Sequence, residues 1–354
     1  MPPRCLAKPN FAEAVERLDA WWSGSSLGRP AVTCSVLVED PPPAPLDPRT
    51  EAQRDMDPRW HLACARRQLD AHAFPAETMP GLFPHFASNL GIPSVLAGGV
   101  LDYRETTAWT EPMPDVYERD LPDFDPAHPA LAVLAESLRL MGEQLGDRGL
   151  LSVPPLLDGL TTLSLFRDSG PLCEDLIDRP ADVKRVAAHL DRLALDAHRA
   201  LYEIINGFGH AQSVTWAGIY ATGKAEMVQC DFGIMLSPAM FEEFALPGLR
   251  LATDYMDRSC YHLDGTPQTR FLDLLCSLDR LHAIQWNPEP PAAPPTAWVD
   301  FFHAVRDRGK SLWVACDTRT AIALTRELGP DGLMLDVRDV KTVRDAEELL
   351  TQLK

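Results

Sequence analysis

The feature that most constrains the fold is an alternation of short apolar runs with longer amphipathic segments through the second half of the chain. The apolar runs have the length of strands, and the segments between them repeat apolar residues at the spacing of one helix face. Regular succession of strand, helix and strand is typical of parallel βα units. Together with one early run, the predicted strands cover residues 30–38, 150–157, 213–220, 258–265, 281–286, 311–317 and 332–337.

The helices are predicted from their start signals as well as from periodicity. The segment 178–205 opens on an Asp and carries Pro180 in its first turn, and the segment 237–257 opens on Ser237 followed by Pro238. Ser and Asp cap helix N-termini, and Pro suits the first helical position because it has no backbone N–H to leave unpaired. Further helices are expected at 266–278, 297–309, 318–328 and 339–353.

These units predict the architecture. Counting room for one more strand near 80–100, about eight βα units are expected, and eight such units close into a (β/α)8 TIM barrel. The length suits a single domain over 1–354, with a helical N-terminal extension over 1–28 and loop insertions. A doubly wound open sheet is the alternative. It is less favoured because no Gly-rich phosphate-binding pattern follows a strand.

Composition restricts the partners. The formal net charge of −18 would repel nucleic acid and anionic membranes, so we expect a small-molecule substrate. The eight cysteines form no CxxC pair, which favours reduced thiols and a cytoplasmic location. We recognise no signal peptide, and no run approaches the roughly 18 apolar residues of a membrane span. The oligomeric state is open, a homodimer included.

In a barrel of this kind the active site lies at the carboxyl ends of the strands. That rule selects candidate residues at the predicted strand ends, in the loop that leads into the helix at 237–257, and before the first strand. The candidates are Asp158, Trp216, Tyr220, His262, Asp264, Gln285, Trp286, Cys316 and Asp336 at strand ends, Cys230 and Asp231 in the loop, and Arg29 before the first strand.

His262 and Asp264 are two residues apart, so on an extended strand both side chains point to the same side. An imidazole and a carboxylate placed in this way could bind one metal, or could act as a base and the group that orients it. Alternatively His262 is a hydrogen-bonded core residue and Asp264 caps the helix that follows. The spacing alone leaves both interpretations open.

The cysteines and acids of the candidate set also allow two interpretations. Cys316 is a third metal ligand or a packed core thiol. Cys230 precedes a predicted helix N-terminus, which would lower its thiol pKa and favour a catalytic role. Asp231 is a catalytic acid or a carboxylate that faces solvent.

The other candidates would bind substrate. Trp216 and Trp286 could form an apolar wall, or could be ordinary core. Arg29 could hold a substrate carboxylate or pair with an acid of the protein. Tyr220, Gln285 and Asp158 complete the predicted substrate-binding set.

Three segments carry a family resemblance: "RLDAWW…GRPAV", "QCDFGIMLSPAMFEEFALPGLR" and "YHLDGTPQTRFLDLL…LHAIQWNP". They resemble the uroporphyrinogen decarboxylase-like superfamily, most specifically across 228–288. That superfamily includes zinc-dependent methyltransferases that move methyl groups between corrinoid proteins and thiols, and it is distantly similar to cobalamin-independent methionine synthase. The resemblance implies a (β/α)8 barrel.

The sequence departs from both named branches. The Arg-rich N-terminal segment of true uroporphyrinogen decarboxylases has no equivalent here beyond Arg29, which argues against haem biosynthesis. The methyltransferase branch has H-x-C-G and a later Cys that together bind zinc. Here the motif is His262-x-Asp264-Gly265, and Asp336 stands near the last strand with no Cys. Carboxylates in place of thiolates make a harder site that favours oxygen ligands.

The resemblance therefore implies metal-assisted methyl transfer. His262 and Asp264, with Cys316 or Asp336, would hold a divalent metal, zinc above all. A corrinoid or a folate would supply the methyl group, with a corrinoid protein as a partner. One alternative is a decarboxylase of a small carboxylic acid, in which Asp231 or Asp264 and His262 handle the proton. Another is a non-catalytic ligand-binding barrel.

Overall fold

The computed structural model describes residues 5–45, 47, 49–85, 91–104, 108–155, 157–209, 211–288 and 293–354. The described strands are β1 (Ala31–Thr33), β2 (Val36–Leu37), β3 (His72–Ala73), β4 (Gly81–Leu82), β5 (Leu101–Tyr103), β6 (Ala108–Thr110), β7 (Leu150–Leu151), β8 (Gln212–Val214), β9 (Tyr220–Thr222), β10 (Ala225–Val228), β11 (Arg258–Asp264), β12 (Ala283–Asn287), β13 (Ser311–Cys316) and β14 (Leu333–Val337).

The helices connect and cover these strands. The described α-helices are α1 (Phe11–Trp22), α2 (Glu51–Asp55), α3 (Pro58–Ala71), α4 (Ile92–Leu96), α5 (Pro129–Leu145), α6 (Gly159–Arg167), α7 (Ser169–Asp178), α8 (Pro180–Gly207), α9 (Pro238–Met240), α10 (Leu246–Tyr255), α11 (Leu272–Cys276), α12 (Val299–Asp307), α13 (Thr318–Leu328) and α14 (Val343–Gln352). Short 3₁₀ segments precede some of them, including Asp231–Met235 and Thr266–Phe271, and a π-helical turn, Phe241–Ala245, joins α9 to α10. No described helix is both long and apolar enough to cross a membrane.

The central sheet is parallel throughout, in the order β1-β14-β13-β12-β11-β10. The prediction of a parallel α/β fold is confirmed. A second parallel pair, β4 with β7, lies outside this six-stranded ladder, and the three other pairs are antiparallel. The described ladder is thus shorter than the predicted eight strands, and closure into a barrel stays a prediction.

The predicted strand bounds agree best with the structure in the most regular part of the chain. The four strands from β11 to β14 lie within one or two residues of their predicted bounds. The predicted strand 213–220 was wrong, because β8 and β9 form an antiparallel hairpin there. Gly218 has a φ of 77° in its turn, a conformation that a β-strand residue does not adopt.

Side chains alternate between two cores along the sheet. One face packs against α1 and the β8–β9 hairpin, while the other packs under the surrounding helices. The first face carries Cys260, Ala283, Trp313 and Met334, and the second carries Tyr261, Ile284, Val314 and Leu335. His262 and Asp264 follow Cys260 at intervals of two, so they belong to the first face.

Helix α1 lies against the amino ends of the strands. Its apolar residues recur every three or four positions, and Leu18, Trp21 and Trp22 are buried. Trp21 Nε1 donates to the Leu312 carbonyl at 3.1 Å, at the start of β13, and Trp22 Nε1 donates to the Tyr220 carbonyl at 2.8 Å. This end is therefore filled with side chains, and polar groups gather at the opposite, carboxyl end.

Candidate active site

One cluster of metal-ligating side chains stands at the carboxyl end of the sheet. His262 and Asp264 come from the end of β11, and Asp231 comes from the 3₁₀ segment after β10. One donor atom from each lies within 4.8 Å of the others, and His262 Nε2 is 3.9 Å from Asp264 Oδ1. The side chains of His262 and Asp264 share a face of β11, as their spacing predicted.

The neighbouring strand holds these two side chains in place. The register pairs His262 with Gln285 and Asp264 with Asn287. Gln285 Oε1 is hydrogen-bonded to His262 Nδ1, and Asn287 Nδ2 donates to Asp264 Oδ1 at 2.8 Å. An amide oxygen can only accept, so Nδ1 carries the proton and the lone pair of neutral His262 is on Nε2. That is the nitrogen nearest to Asp264.

Trp216 lies over the cluster. It occupies the turn of the β8–β9 hairpin, and its ring meets His262 edge to face, with centroids 5.1 Å apart and planes at 80°. Trp216 therefore contacts a residue of the candidate site, and its role as an apolar wall for a ligand stays a prediction.

Asp231, the third member of the cluster, is half-buried. Its backbone N–H donates to Thr161 Oγ1 at 3.0 Å, while its Oδ1 atom is buried and has no hydrogen-bond partner among the described residues. Burial, followed by the charge of Asp158, raises the pKa of Asp231 to about 7, although His262 opposes the shift. A buried, unpartnered carboxylate oxygen is suited to a cation or a proton.

Asp158, whose charge acts on Asp231, caps helix α6. Its Oδ1 caps α6 by accepting from the backbone N–H groups of Leu160 (3.1 Å) and Thr161 (2.9 Å). Burial and the nearby Asp191 raise the pKa of Asp158 to about 7. Asp158 lines a small internal cavity behind β10. The prediction that it binds substrate is corrected to a helix cap.

The structure contradicts the prediction for both cysteines. Cys230 is buried beside Asp158 and Asp231, and burial with these acids raises its thiol pKa well above the usual value instead of lowering it. Cys316 lies on the helix-covered face of β13, one residue out of phase with the site, and burial raises its thiol pKa to about 12. Cys316 does not belong to the metal-ligating cluster.

Three predicted substrate contacts are wrong for reasons of strand parity and pairing. Trp286 faces the helices and stacks on Trp298, with ring centroids 4.7 Å apart. Tyr220 lies on the returning strand of the hairpin, buried against α1. Arg29 is buried, and both of its terminal nitrogens donate to the Glu77 carboxylate at 2.8 Å. The alternative for Arg29, pairing with an acid, is therefore the correct one.

Two other residues are placed differently from their predicted roles. Gln285, predicted to bind substrate, is buried and orients His262. Asp336 accepts from Thr33 Oγ1 at 3.1 Å and pairs with Arg338 at 3.2 Å, outside the cluster. Sequence reasoning missed Thr161, whose hydroxyl fixes the backbone of Asp231 across 70 residues of chain. No local signal marks such a contact.

One cavity borders the cluster, and a second borders the Trp216 ring that contacts His262. The first, of about 330 Å³, is lined by Asp231 and has a largely apolar lining. The second, of about 280 Å³, borders Trp216 and Asp336 and has a mixed polar and apolar lining. A His–carboxylate cluster beside a cavity at the carboxyl edge of a parallel sheet has the arrangement expected of an α/β active site.

The sequence matches no family model, and a comparison with curated proteins finds no match. Solved structures do match the fold. One is a methyltransferase from Methanosarcina mazei, with a TM-score of 0.58 at 11% sequence identity over 96% of this chain and 97% of that one. The chain is thus a parallel α/β protein that shares the fold of this methyltransferase. At this level of identity the likeness carries no residue roles.

Proposed function

We propose that this protein is a metal-assisted methyltransferase of the uroporphyrinogen decarboxylase-like kind, with the sheet closed into a (β/α)8 barrel. The observation that carries the proposal is the convergence of Asp231, His262 and Asp264 within 4.8 Å. The fold shared with a methyltransferase and the H-x-D-G resemblance agree with it.

The donor set fits a divalent metal. Zinc in catalytic sites takes three protein ligands from imidazole and carboxylate groups and keeps one position open. A tetrahedral ion with bonds of about 2.0–2.1 Å holds its ligand atoms roughly 3.3 Å apart. His262 Nε2 and Asp264 Oδ1, at 3.9 Å, need only a small contraction to reach that spacing. The carboxylate of Asp231 supplies the third donor.

A metal bound here would act as a Lewis acid that activates the methyl acceptor. The residues around it supply orientation. Gln285 fixes the tautomer of His262, Asn287 orients Asp264, and Trp216 shields the imidazole from water. One imidazole and two carboxylates make a harder site than thiolates would, so oxygen acceptors suit it better than thiols. The resemblance points to a corrinoid or a folate as the methyl donor.

Metal binding tests the proposal. His262→Ala should abolish stoichiometric binding of zinc, measured by calorimetry and by elemental analysis, because only two donors remain. His303→Ala, an exposed histidine on α12, is the matched control and should bind as the wild type does. Equal binding by both variants, or no binding by the wild-type protein, would exclude the proposed site.

The raised pKa of Asp231 supports a second candidate, the decarboxylation of a small carboxylic acid. A carboxyl group with a pKa of about 7 can return a proton to a developing carbanion. Against it, no Lys or Arg belongs to the described lining of either cavity. Carbon dioxide release that persists in the presence of a chelator would favour decarboxylation over methyl transfer.

A further inference from the structure

We propose that the cavity beside Asp231 binds the uncharged, apolar part of a substrate that carries a hydroxyl group, with the hydroxyl directed at Asp231. This inference rests on the proposed function because it identifies the substrate class of the same site. It is argued from the composition of the cavity, from its size and from the position of Asp231 at its edge.

Three elements supply most of the cavity lining. Strand β6 contributes Trp109, helix α6 contributes Leu165, and the 3₁₀ segment after β10 contributes Phe232, Ile234 and Met235. These side chains are aromatic or aliphatic, and burying an apolar ligand against them is favourable at about 25 cal/mol per Å². Trp109 and Met235 are about half exposed, at 59% and 53%, in this part of the structure. A ligand in the cavity would cover them.

The polar groups of the lining are mostly engaged within the protein. Thr161 Oγ1 accepts from the Asp231 backbone at 3.0 Å, and Ser164 Oγ donates to the Thr161 carbonyl at 2.7 Å. The Thr110 hydroxyl bonds with Ser94 Oγ at 2.8 Å. The carboxylate of Asp231 is the exception, since no hydrogen bond to it forms among the described residues. The cavity therefore borders an unpaired carboxylate, to which a hydroxyl group can donate.

In the metal-free protein, charge disfavours anionic ligands. Asp231 is the only ionisable residue in the described lining of the cavity. The Arg270 guanidinium is not part of that lining, and it donates to the carbonyls of Ile234 (2.8 Å) and Leu236 (2.6 Å). A carboxylate ligand would be desolvated beside a like charge. A neutral hydroxyl compound avoids that cost.

The size of the cavity matches a small ring compound. Its volume of about 330 Å³ exceeds the roughly 150 Å³ of a cavity that admits benzene, and it lies in the range of small-molecule sites. Asp231 belongs both to this lining and to the metal-ligating cluster. A ligand that fills the cavity thus places its polar end beside the cluster.

Ligand-observed NMR and calorimetry with two probes test the inference. Benzyl alcohol and benzoate have similar size and differ in charge. The metal-free wild-type protein, kept so with a chelator, should bind benzyl alcohol about tenfold more tightly than benzoate, or better, since a like charge at this edge opposes the anion. Equal binding, or tighter binding of benzoate, would overturn the inference.

A charge-reversal variant sharpens the test. Met235→Lys places a cation at the exposed rim and should reduce or invert the preference for benzyl alcohol. Leu251→Lys, an exposed apolar residue on α10 that does not line the cavity, is the matched control and should leave the preference unchanged. Identical behaviour of the two variants would contradict the assigned cavity.

The two proposals fail separately. His262→Ala keeps the cavity, so it should lose zinc binding and keep benzyl alcohol binding. Zinc binding without binding of benzyl alcohol would overturn the cavity assignment and leave the metal site standing. Binding of benzyl alcohol without any zinc binding would overturn the metal site and leave the cavity assignment standing.

Discussion

Two groups of His and acidic residues lie on opposite faces of the same part of the sheet, and they have opposite properties. At the carboxyl edge, Asp231, His262 and Asp264 converge on one point beside a cavity of about 330 Å³. Behind β10, His198 and Glu226 line an internal cavity of only about 50 Å³ between the strand and helices α8 and α10.

Burial suppresses the charges of the internal group. Both ring nitrogens of His198 lack a partner among the described residues, and burial lowers its pKa to about 3. Burial raises the pKa of Glu226 to about 8. Both side chains are therefore neutral near pH 7. The cavity beside them, at about 50 Å³, is too small for an organic ligand.

The comparison shows that residue type does not define a site. The internal group contains the same chemical groups as the edge cluster. What differs is strand parity, which turns Glu226 toward the helices and His262 toward the opening, and the neighbouring amides that orient His262 and Asp264. A candidate site is distinguished from a buried, neutral His–Glu pair by donor atoms that converge on one point and by their access to the opening.

The largest expected difference concerns metal affinity. Asp231→Asn should weaken zinc binding by more than the roughly 10–100-fold typical of outer-shell substitutions, because it removes a ligand charge. Glu226→Gln should leave zinc binding unchanged. Calorimetric titration measures both. If both variants lost zinc affinity equally, the metal would not be bound specifically by the edge cluster.

The next effect is on stability and its pH dependence. Because the folded-state pKa of Glu226 is raised above its unfolded value, its contribution to the free energy of unfolding is complete below about pH 4.5. That contribution is lost as the pH rises through about 8. Glu226→Gln should remove the part of the slope that Glu226 causes and stabilise the protein at pH 9 by about 5 kcal/mol relative to the wild type.

Denaturant unfolding at pH 5, 7 and 9 checks this prediction. Glu242→Gln, on the exposed surface of the π-helical turn, is the matched control and should change none of the three values appreciably. A wild-type protein as stable at pH 9 as at pH 5 would show that Glu226 has an unshifted pKa in the fold.

The smallest effect concerns the orientation of His262. Gln285→Leu keeps the volume at a buried position and removes the acceptor of the His262 Nδ1 proton. We expect a 10–100-fold loss of zinc affinity, by analogy with other outer-shell partners. Gln352→Leu, an exposed residue at the end of α14, is the control. Unchanged affinity in the Gln285 variant would show that the tautomer of His262 does not depend on this bond.

The sequence predicted the most regular parts of the molecule. Strands β11 to β14 have apolar runs bounded by helices with clear start signals, and both their type and their position were correct. The sequence predicts one strand where β8 and β9 form a hairpin, because Gly218 is the only residue that signals a turn there. Trp286 was assigned to the opening although it is one residue out of phase with His262 in the paired register.

Local sequence determined the pairing of His262 with Asp264, since alternation along an extended strand places both side chains on one face. It also determined that both stand at the carboxyl edge of a parallel sheet. The tertiary structure alone decided that Asp231 completes the cluster while Cys316 and Arg29 do not. The reason is physical. Burial, charge pairing and register depend on segments tens to hundreds of residues apart, and only folding brings those segments into contact.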